Sequence, residues 1–441
     1  MSKAGYSFGK LPTLSTVIWS AEKVKSWKWG DNRHLESIMQ RFVVLNQKNL
    51  SYLGITASVI EREGRPAIQL CTSKYIGAIP IITPATGKPC GDLIVTGRFG
   101  ENAGELITFL DDSIRPEYSG EFMLTQDSQM TPPIFIECCK YLGAYIEADR
   151  FKWRKFNNVV KVESKPSGST LWGEYAQRVA KNPLDVGRFK NKSNILSTNH
   201  TEWNQLNYVL SLAINELGST RVPIRTRVAY SDRISQLKRK LQSVTSEYTT
   251  VVREHMSDPL VIKRLKQLAN QILQNKSHEK LAWRMDYAEF FERYVQYIME
   301  QVAKKKGVRS INNPHYSISV NRRPAWGLSY LEPDVVLHHD AKQIVVDAKY
   351  KSHLFNWEDQ SDELKDTFRH DLHQILAYCS FSTGDNKEAL IVYPYTDFTI
   401  RRMRVSNPLT HIENIVCLVG IPIDRNKIHE VEDEFSKIIK F

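Results

Sequence analysis

Cysteine is scarce in this chain: six in 441 residues, none in a CxxC pair. That argues against a disulfide framework and against a zinc ribbon. Cys138 and Cys139 are adjacent in an apolar stretch and read as buried, inert thiols. Long apolar runs are missing too. No segment approaches the roughly 18 apolar residues that span a bilayer. The opening MSKAGYSFGKLPTLSTVIWS lacks a charged n-region followed by an uninterrupted apolar h-region, so secretion is not expected. A reducing, cytoplasmic setting follows, with no membrane partner. No GxxxxGK[ST] phosphate loop occurs anywhere, so the chain is not expected to power motion along a polymer itself. No Ser/His/Asp or Cys/His set argues for a covalent intermediate, and there is no internal repeat or low-complexity segment.

What is present fits an ordinary globular protein, with 41% apolar and 25% charged residues. The length suggests about three domains. Lys and Arg outnumber Asp and Glu by 60 to 49, a net charge of +11 that suggests a polyanionic partner without identifying one.

Residues 1–165 read as a strand-rich domain that binds a partner or DNA. ITASVIEREGRPAIQLC forms a hairpin around Glu63-Gly64, GDLIVTGRF a further strand, and PIFIECCKYLGAYIEA a helix. Residues 166–280 read as a helical connecting segment. EWNQLNYVLSLAINELG has helical apolar spacing with Gly218 as its C-cap, and RISQLKRKLQSVTSEYTTVV and PLVIKRLKQLANQILQN follow. WRMDYAEFFERYVQYIMEQVAKKKG is expected as one long helix, its last lysines at the negative end of the macrodipole. The strands SISV, YLEPDVVL and QIVVDAKYK come next, then the helix ELKDTFRHDLHQILAYCSF and the strand ALIVYP. Residues 281–441 therefore read as an α/β domain of order α-β-β-β-α-β, with two more strands and a charged helix behind it. The fold class expected is multidomain α+β.

The stretch EPDVVLHHDAKQIVVDAKYK, residues 332–351, carries the chemistry. Two β-branched runs flank a short polar break, the signature of adjacent antiparallel strands. Side chains alternate along a strand, so Asp347 and Lys349 share one face. An unpaired charge is costly out of water, so two carboxylates and a lysine converging on one patch need a reason. Phosphodiester cleavage supplies one, since it requires an activated water and a sink for charge on the phosphate oxygens. A hard divalent cation meets both needs and takes oxygen ligands. Asp334 and Asp347 offer two, and the Ala348 carbonyl is a natural third. Lys349 is then placed to orient water or to offset developing charge. Glu292, on the preceding helix, is a candidate for the same metal. Gln374 and Tyr378, four apart on the following helix, share one face. Leu372, Ile375, Leu376 and Cys379 pack on the sheet, leaving that polar pair aimed at the site or at a phosphate.

Pro333-Asp334, twelve intervening residues and Asp347-Ala348-Lys349, in that element order, resemble the PD-(D/E)XK nuclease superfamily. The wider string FFERYV…EPDVVL…IVVDAKYK…DLHQILAYCSF…ALIVYP is similar to the nuclease half of McrC, the endonuclease subunit of modification-dependent McrBC restriction systems. This resemblance spans about residues 280–395. It implies Asp334, Asp347 and Lys349 as the catalytic core, with Glu292, Gln374 and Tyr378 in supporting positions. It also implies Mg²⁺ or Mn²⁺ as cofactor, double-stranded DNA as substrate, and an McrB-like hexameric AAA+ GTPase as the partner that recognises and translocates DNA.

Blander readings stand beside these. The two aspartates and the lysine would also suit a surface hairpin with a cross-strand ion pair. Glu292 would suit a solvated partner of Arg293, and Gln374 and Tyr378 plain helix surface. His338 and His339 point to opposite strand faces and do not readily serve one ion. RFKWRKF reads equally as a phosphate-contacting surface or as a half-buried strand, and Trp19, Trp27 and Trp29 read as packing anchors. Two rival functions remain: a non-catalytic, DNA-binding or regulatory partner of an NTPase, and a repair or RNA nuclease of the same superfamily.

Overall fold

The computed structural model describes the chain outside residues 1–7, 100–105, 107–113, 126–132, 221, 223, 279, 320–323, 326, 341, 352–353, 355–360, 382–385 and 410–412. The fold is multidomain α+β. It divides into two compact units, one made of residues 1–133 with 278–441 and the other of residues 134–277.

In the first unit, Thr56–Arg62 and Arg65–Cys71 form the expected hairpin, turning on Glu63 and Gly64 at φ of 54° and 73°. Thr16–Trp19 joins the same sheet. Trp19, Trp27 and Trp29 are buried and pack with Phe8 and Phe42, as anchors should. The helix Leu35–Tyr52 was not expected from the strand-rich reading of this region.

A second sheet runs in the order Lys10–Pro12, Pro89–Thr96, Tyr75–Ile82, Leu281–Asp286, Glu117–Met123. Its fourth strand corrects the expectation of one helix from Trp283. LAWRMD is a strand, clasped between Tyr75–Ile82 and Glu117–Met123, and helix begins only at Tyr287. Gly77 permits this. Its φ of 150° and missing side chain let the backbone approach Trp283, whose carbonyl oxygen would lie 2.1 Å from any Cβ there. Local helical tendency yields to pairing on both sides. One consequence is that the compact units divide after residues 133 and 277, with this strand completing a sheet built from the N-terminal region.

The helix Tyr287–Lys306 is capped by Asp286, which accepts from the Ala288 and Glu289 N–H groups at 2.9 and 3.2 Å. It ends on Gly307 at φ 67°. Phe290, Tyr294, Ile298 and Val302 bury one face. The third sheet has six strands in the order Arg309–Asn312, Val335–His339, Lys342–Ala348, Asn386–Pro394, Glu413–Ile421, Thr399–Ser406. Lys342–Ala348, Asn386–Pro394 and Glu413–Ile421 are parallel neighbours, and the rest pair antiparallel. The helix Asp362–Cys379 packs on this sheet, and Ile428–Ile438 packs against Tyr287–Lys306. The edge strand is Arg309–Asn312 and not SISV. Of SISV, Ser317 pairs in a two-residue ladder with Tyr330, and Val320 lies outside the described residues. YLEPDVVL is broken at Pro333, which has no N–H to give a ladder.

The second unit packs the helices Phe135–Phe151, Thr201–Leu217, Ile224–Leu241 and Leu260–Ser277. The second of these stops at Gly218 as expected. The third ends at Leu241, so the expected continuation to Val252 is not helical. This unit also holds a three-stranded antiparallel sheet of Lys155–Glu163, Phe189–Ser197 and Ser169–Thr170, beside the helix Trp172–Lys181. The basic run RFKWRKF resolves into a helix end, a buried Trp153 and a strand starting at Lys155. At the centre, Lys266 is fully buried. It pairs with Glu202, lies 2.6 Å from Asp258, and donates to the Arg253 carbonyl at 2.9 Å. No helix among the described residues is long and apolar enough to cross a membrane.

Candidate functional site

The register of one hairpin builds the site. Val335 pairs with Val346, and the ladder runs from there to His339 and Lys342 across a tight turn in which Asp340 adopts φ 50°. One step beyond the Val335–Val346 pair, Asp334 and Asp347 face each other at the open end. The Asp334 carboxylate accepts the Ala348 N–H at 2.6 Å. Its carbonyl accepts from the Asn313 N–H at 3.0 Å and from Gln296 Nε2 at 3.2 Å. Asp347 sits on the strand between two fully apolar neighbours and is 1% exposed. The Lys349 ammonium lies 2.6 Å from its Oδ2, yet Oδ2 has no aligned hydrogen-bond donor among the described residues.

The charges strain against each other. Burial, then the Asp347 and Glu292 carboxylates, push the Asp334 carboxyl up to about 8, against the pull of the Ala348 N–H and Lys349. Burial likewise raises Asp347, with Lys349 opposing it. For Lys349, burial alone would lower the ammonium, but Asp347, Asp334 and Asp371 outweigh it and hold it above its ordinary value. The lysine is therefore charged while the carboxylates are crowded.

Glu292 is half-buried and not a solvated partner of Arg293. Its Oε1 accepts from Gln296 Nε2 and Asn313 Nδ2, both at 3.2 Å. Gln296 thus ties Glu292 to the Asp334 backbone, and Arg293 instead donates to Gln296 Oε1 at 3.0 Å. Gln374 donates to the Tyr378 hydroxyl at 2.8 Å, and that hydroxyl donates to the Glu332 carbonyl at 3.1 Å. Tyr378 is buried in one cluster with Val336, Val345, Ile375 and Ile391, and burial raises its hydroxyl. The pair therefore braces the loop that carries Asp334, with Tyr378 buried and Gln374 exposed on the helix. His338 and His339 lie at the far end of the hairpin, where His339 Nδ1 is 3.4 Å from Asp340.

Sequence reasoning missed Gln296, Asp371 and Lys351. Asp371 is 1% exposed and pairs with Lys351, and its charge reaches both Asp347 and Lys349. The available signals were spacings. Asp371, Gln374 and Tyr378 fall at i, i+3 and i+7, and Glu292 and Gln296 at i and i+4.

Among the described residues no group of three or more His, Cys, Asp or Glu side chains forms a metal cage. The donor set suits a smaller demand. Mg²⁺ is commonly held by one or two carboxylates and completes its shell with water and substrate phosphates. A buried carboxylate oxygen without an aligned donor, beside a second carboxyl crowded by negative charge, fits such an ion.

A family model described as a McrBC 5-methylcytosine restriction system component matches residues 174–394. A comparison with curated proteins gave no match. Among solved structures, the chain is similar to one in a refined half-complex from a tetradecameric assembly of Thermococcus gammatolerans McrB AAA+ hexamers with bound McrC. Identity is 13% and the TM-score 0.46, over 98% of this chain and 99% of that one. It is also similar to a chain in the cryo-EM structure of the Thermococcus gammatolerans McrBC complex. There the identity is 11% and the TM-score 0.32, over 83% of this chain and 99% of that one.

Proposed function

Because this chain belongs to the McrBC 5-methylcytosine restriction system component family, we propose that it is the DNA-cutting subunit of such a system. In this reading residues 281–441 are a PD-(D/E)XK endonuclease domain that needs Mg²⁺ or Mn²⁺. The observation that carries it is the meeting of Asp334, Asp347 and Lys349 at one open strand end, with Lys349 2.6 Å from Asp347.

Asp334 and Asp347 would hold the ion, with the Ala348 carbonyl as a third oxygen. Bound there, the ion supplies positive charge to the scissile phosphate and makes water acidic enough to attack near neutral pH. Lys349 keeps its proton, orients the attacking water and offsets negative charge on the phosphate oxygens. Gln296 fixes the Asp334 backbone, and Gln374 with Tyr378 fixes the Glu332 carbonyl just before it, so the carboxylate is held in place before substrate arrives. Glu292 adds negative charge that favours a cation in the site.

The substrate is double-stranded DNA and the compartment the cytoplasm. The sequence has no phosphate loop, so an McrB-like AAA+ GTPase hexamer would recognise and move the DNA, recruited through the N-terminal region. The test is cleavage of methylated plasmid by the reconstituted pair with GTP. We expect cutting with Mg²⁺ or Mn²⁺, poor cutting with Ca²⁺ and none in excess EDTA. Cutting that persists undiminished in EDTA contradicts the metal mechanism. Cutting confined to an RNA of the same sequence assigns the site to RNA.

A further inference from the structure

Residues 134–277 contain a cavity that the nuclease reading leaves unused. Its volume is about 640 Å³, within the roughly 300–1,000 Å³ of small-molecule and cofactor sites. It opens at the end of the helix Phe135–Phe151. There Lys152 takes φ 49°, a left-handed conformation that lysine seldom adopts. The turn this makes brings three consecutive residues, Lys152, Trp153 and Arg154, to the cavity wall.

The lining has an uneven charge. Among the described lining residues, Lys152, Arg154 and Lys240 supply three cations, and Asp149 is the one carboxylate. Asp149 is already engaged by Lys240. Lys152 and Arg154 are exposed and make no ion pair among the described residues. The walls between them are firm. Trp153 and Trp203 are 7% and 8% exposed. Asn207 is buried, accepts the Tyr145 hydroxyl at 2.6 Å and donates to the Thr245 carbonyl at 2.8 Å. Asn204 donates to Asn199 at 3.0 Å. Among the described residues, no thiol and no acid free of a partner lines the cavity.

We propose that this cavity is a binding site for a phosphate-bearing ligand, either a nucleic-acid backbone or a free nucleotide. Two uncompensated cations meet the phosphate charge. The fixed amides and indole walls suit the sugar or base beside it. None of its described lining residues is one of the proposed catalytic residues, and the proposal does not rest on them.

The experiment uses the full chain in EDTA, so that no probe is cut. Three probes are titrated by fluorescence anisotropy at several salt concentrations: a labelled single-stranded oligonucleotide, a labelled duplex and mant-GTP. The variant is Lys152→Glu/Arg154→Glu, both exposed positions, with circular dichroism as the check on folding. Lys25→Glu/Lys28→Glu, equal in charge and far along the chain, controls for bulk electrostatics. We expect the pocket variant to bind at least one probe about tenfold more weakly than the control. For an oligonucleotide, the log–log salt slope should fall by about 1.4 to 1.8, the equivalent of two phosphate contacts. Loss of mant-GTP binding assigns a free nucleotide, and loss confined to the oligonucleotides assigns a backbone. The proposal is overturned if no probe binds the wild-type chain. It is equally overturned if both variants bind all three probes alike.

Discussion

Asp334 carries the heaviest electrostatic load in the site, with its carboxyl pushed to about 8 by burial and by Asp347 and Glu292. Asp334→Asn would keep an acceptor for the Ala348 N–H and remove the repulsion. We expect its melting temperature in EDTA to match or exceed the wild type. Millimolar Mn²⁺ should raise the wild-type midpoint by mass action and leave the variant's unmoved. Equal stabilisation of both would show that the ion does not use Asp334. Tyr378→Phe removes only the hydroxyl that donates to Glu332. A cost of about 1 kcal/mol in urea unfolding is expected, with cleavage slowed and metal affinity little changed. An unchanged rate would mean that the loop needs no brace. That Asp334, Asp347 and Lys349 meet was legible in the sequence, because period-two alternation and a short polar break leave few other arrangements. Gln296 and Asp371 were not, since a buried polar residue is defined by partners distant in the chain.

At the scale of elements, two contacts invite tests. Tyr350 directly follows Lys349, bonds through its hydroxyl to Thr13 and packs edge-on against Tyr287. Thr13 Oγ1 also accepts the Arg98 N–H at 3.0 Å. The N-terminal sheet is thereby tied to the strand that bears the site. Tyr350→Phe should keep the fold and lower kcat with little change in KM, whereas an unaltered kcat would make the contact mere packing. The second contact is the buried Lys266. Removing it takes the nearest cation from Asp258 and leaves Glu202 to Lys155, so Lys266→Met should cost about 3–5 kcal/mol, and a loss under 1 kcal/mol would contradict that role. Burial alone would raise both carboxyls, but Lys155 and Lys266 hold Glu202, and Lys266 chiefly holds Asp258, below their ordinary 4.5 and 3.8. Their contribution is thus full above those values and is lost as pH falls through the lower folded ones. Wild-type stability should accordingly drop below about pH 4, and the Lys266→Met profile should be flatter there. Most of these elements follow from periodicity. The strand Leu281–Asp286 does not, because its partners, Tyr75–Ile82 and Glu117–Met123, lie far earlier in the chain and that pairing overrides a local helical pattern.

For the whole molecule, the strand Leu281–Asp286 has a practical consequence. A fragment of residues 1–165 lacks it, leaving Tyr75–Ile82 and Glu117–Met123 without the neighbour that joins them. Such a fragment should show a non-cooperative thermal transition, so partner recruitment by the N-terminal region is better tested by surface substitutions in the full chain. The bulk charge, the absent phosphate loop and the α+β class were all readable from composition and motif, whereas the division into compact units depends on which distant strands pair. The central claim is that the strand end bearing Asp334, Asp347 and Lys349 cuts DNA. Its most direct test is Asp347→Ala in the reconstituted complex, measuring cleavage of methylated plasmid and GTP hydrolysis on the same preparation. We expect cleavage to fall by about three orders of magnitude or more, roughly 4 kcal/mol of barrier, with GTP hydrolysis unchanged. Cleavage at the wild-type rate, with GTP hydrolysis intact, would place the cutting chemistry elsewhere.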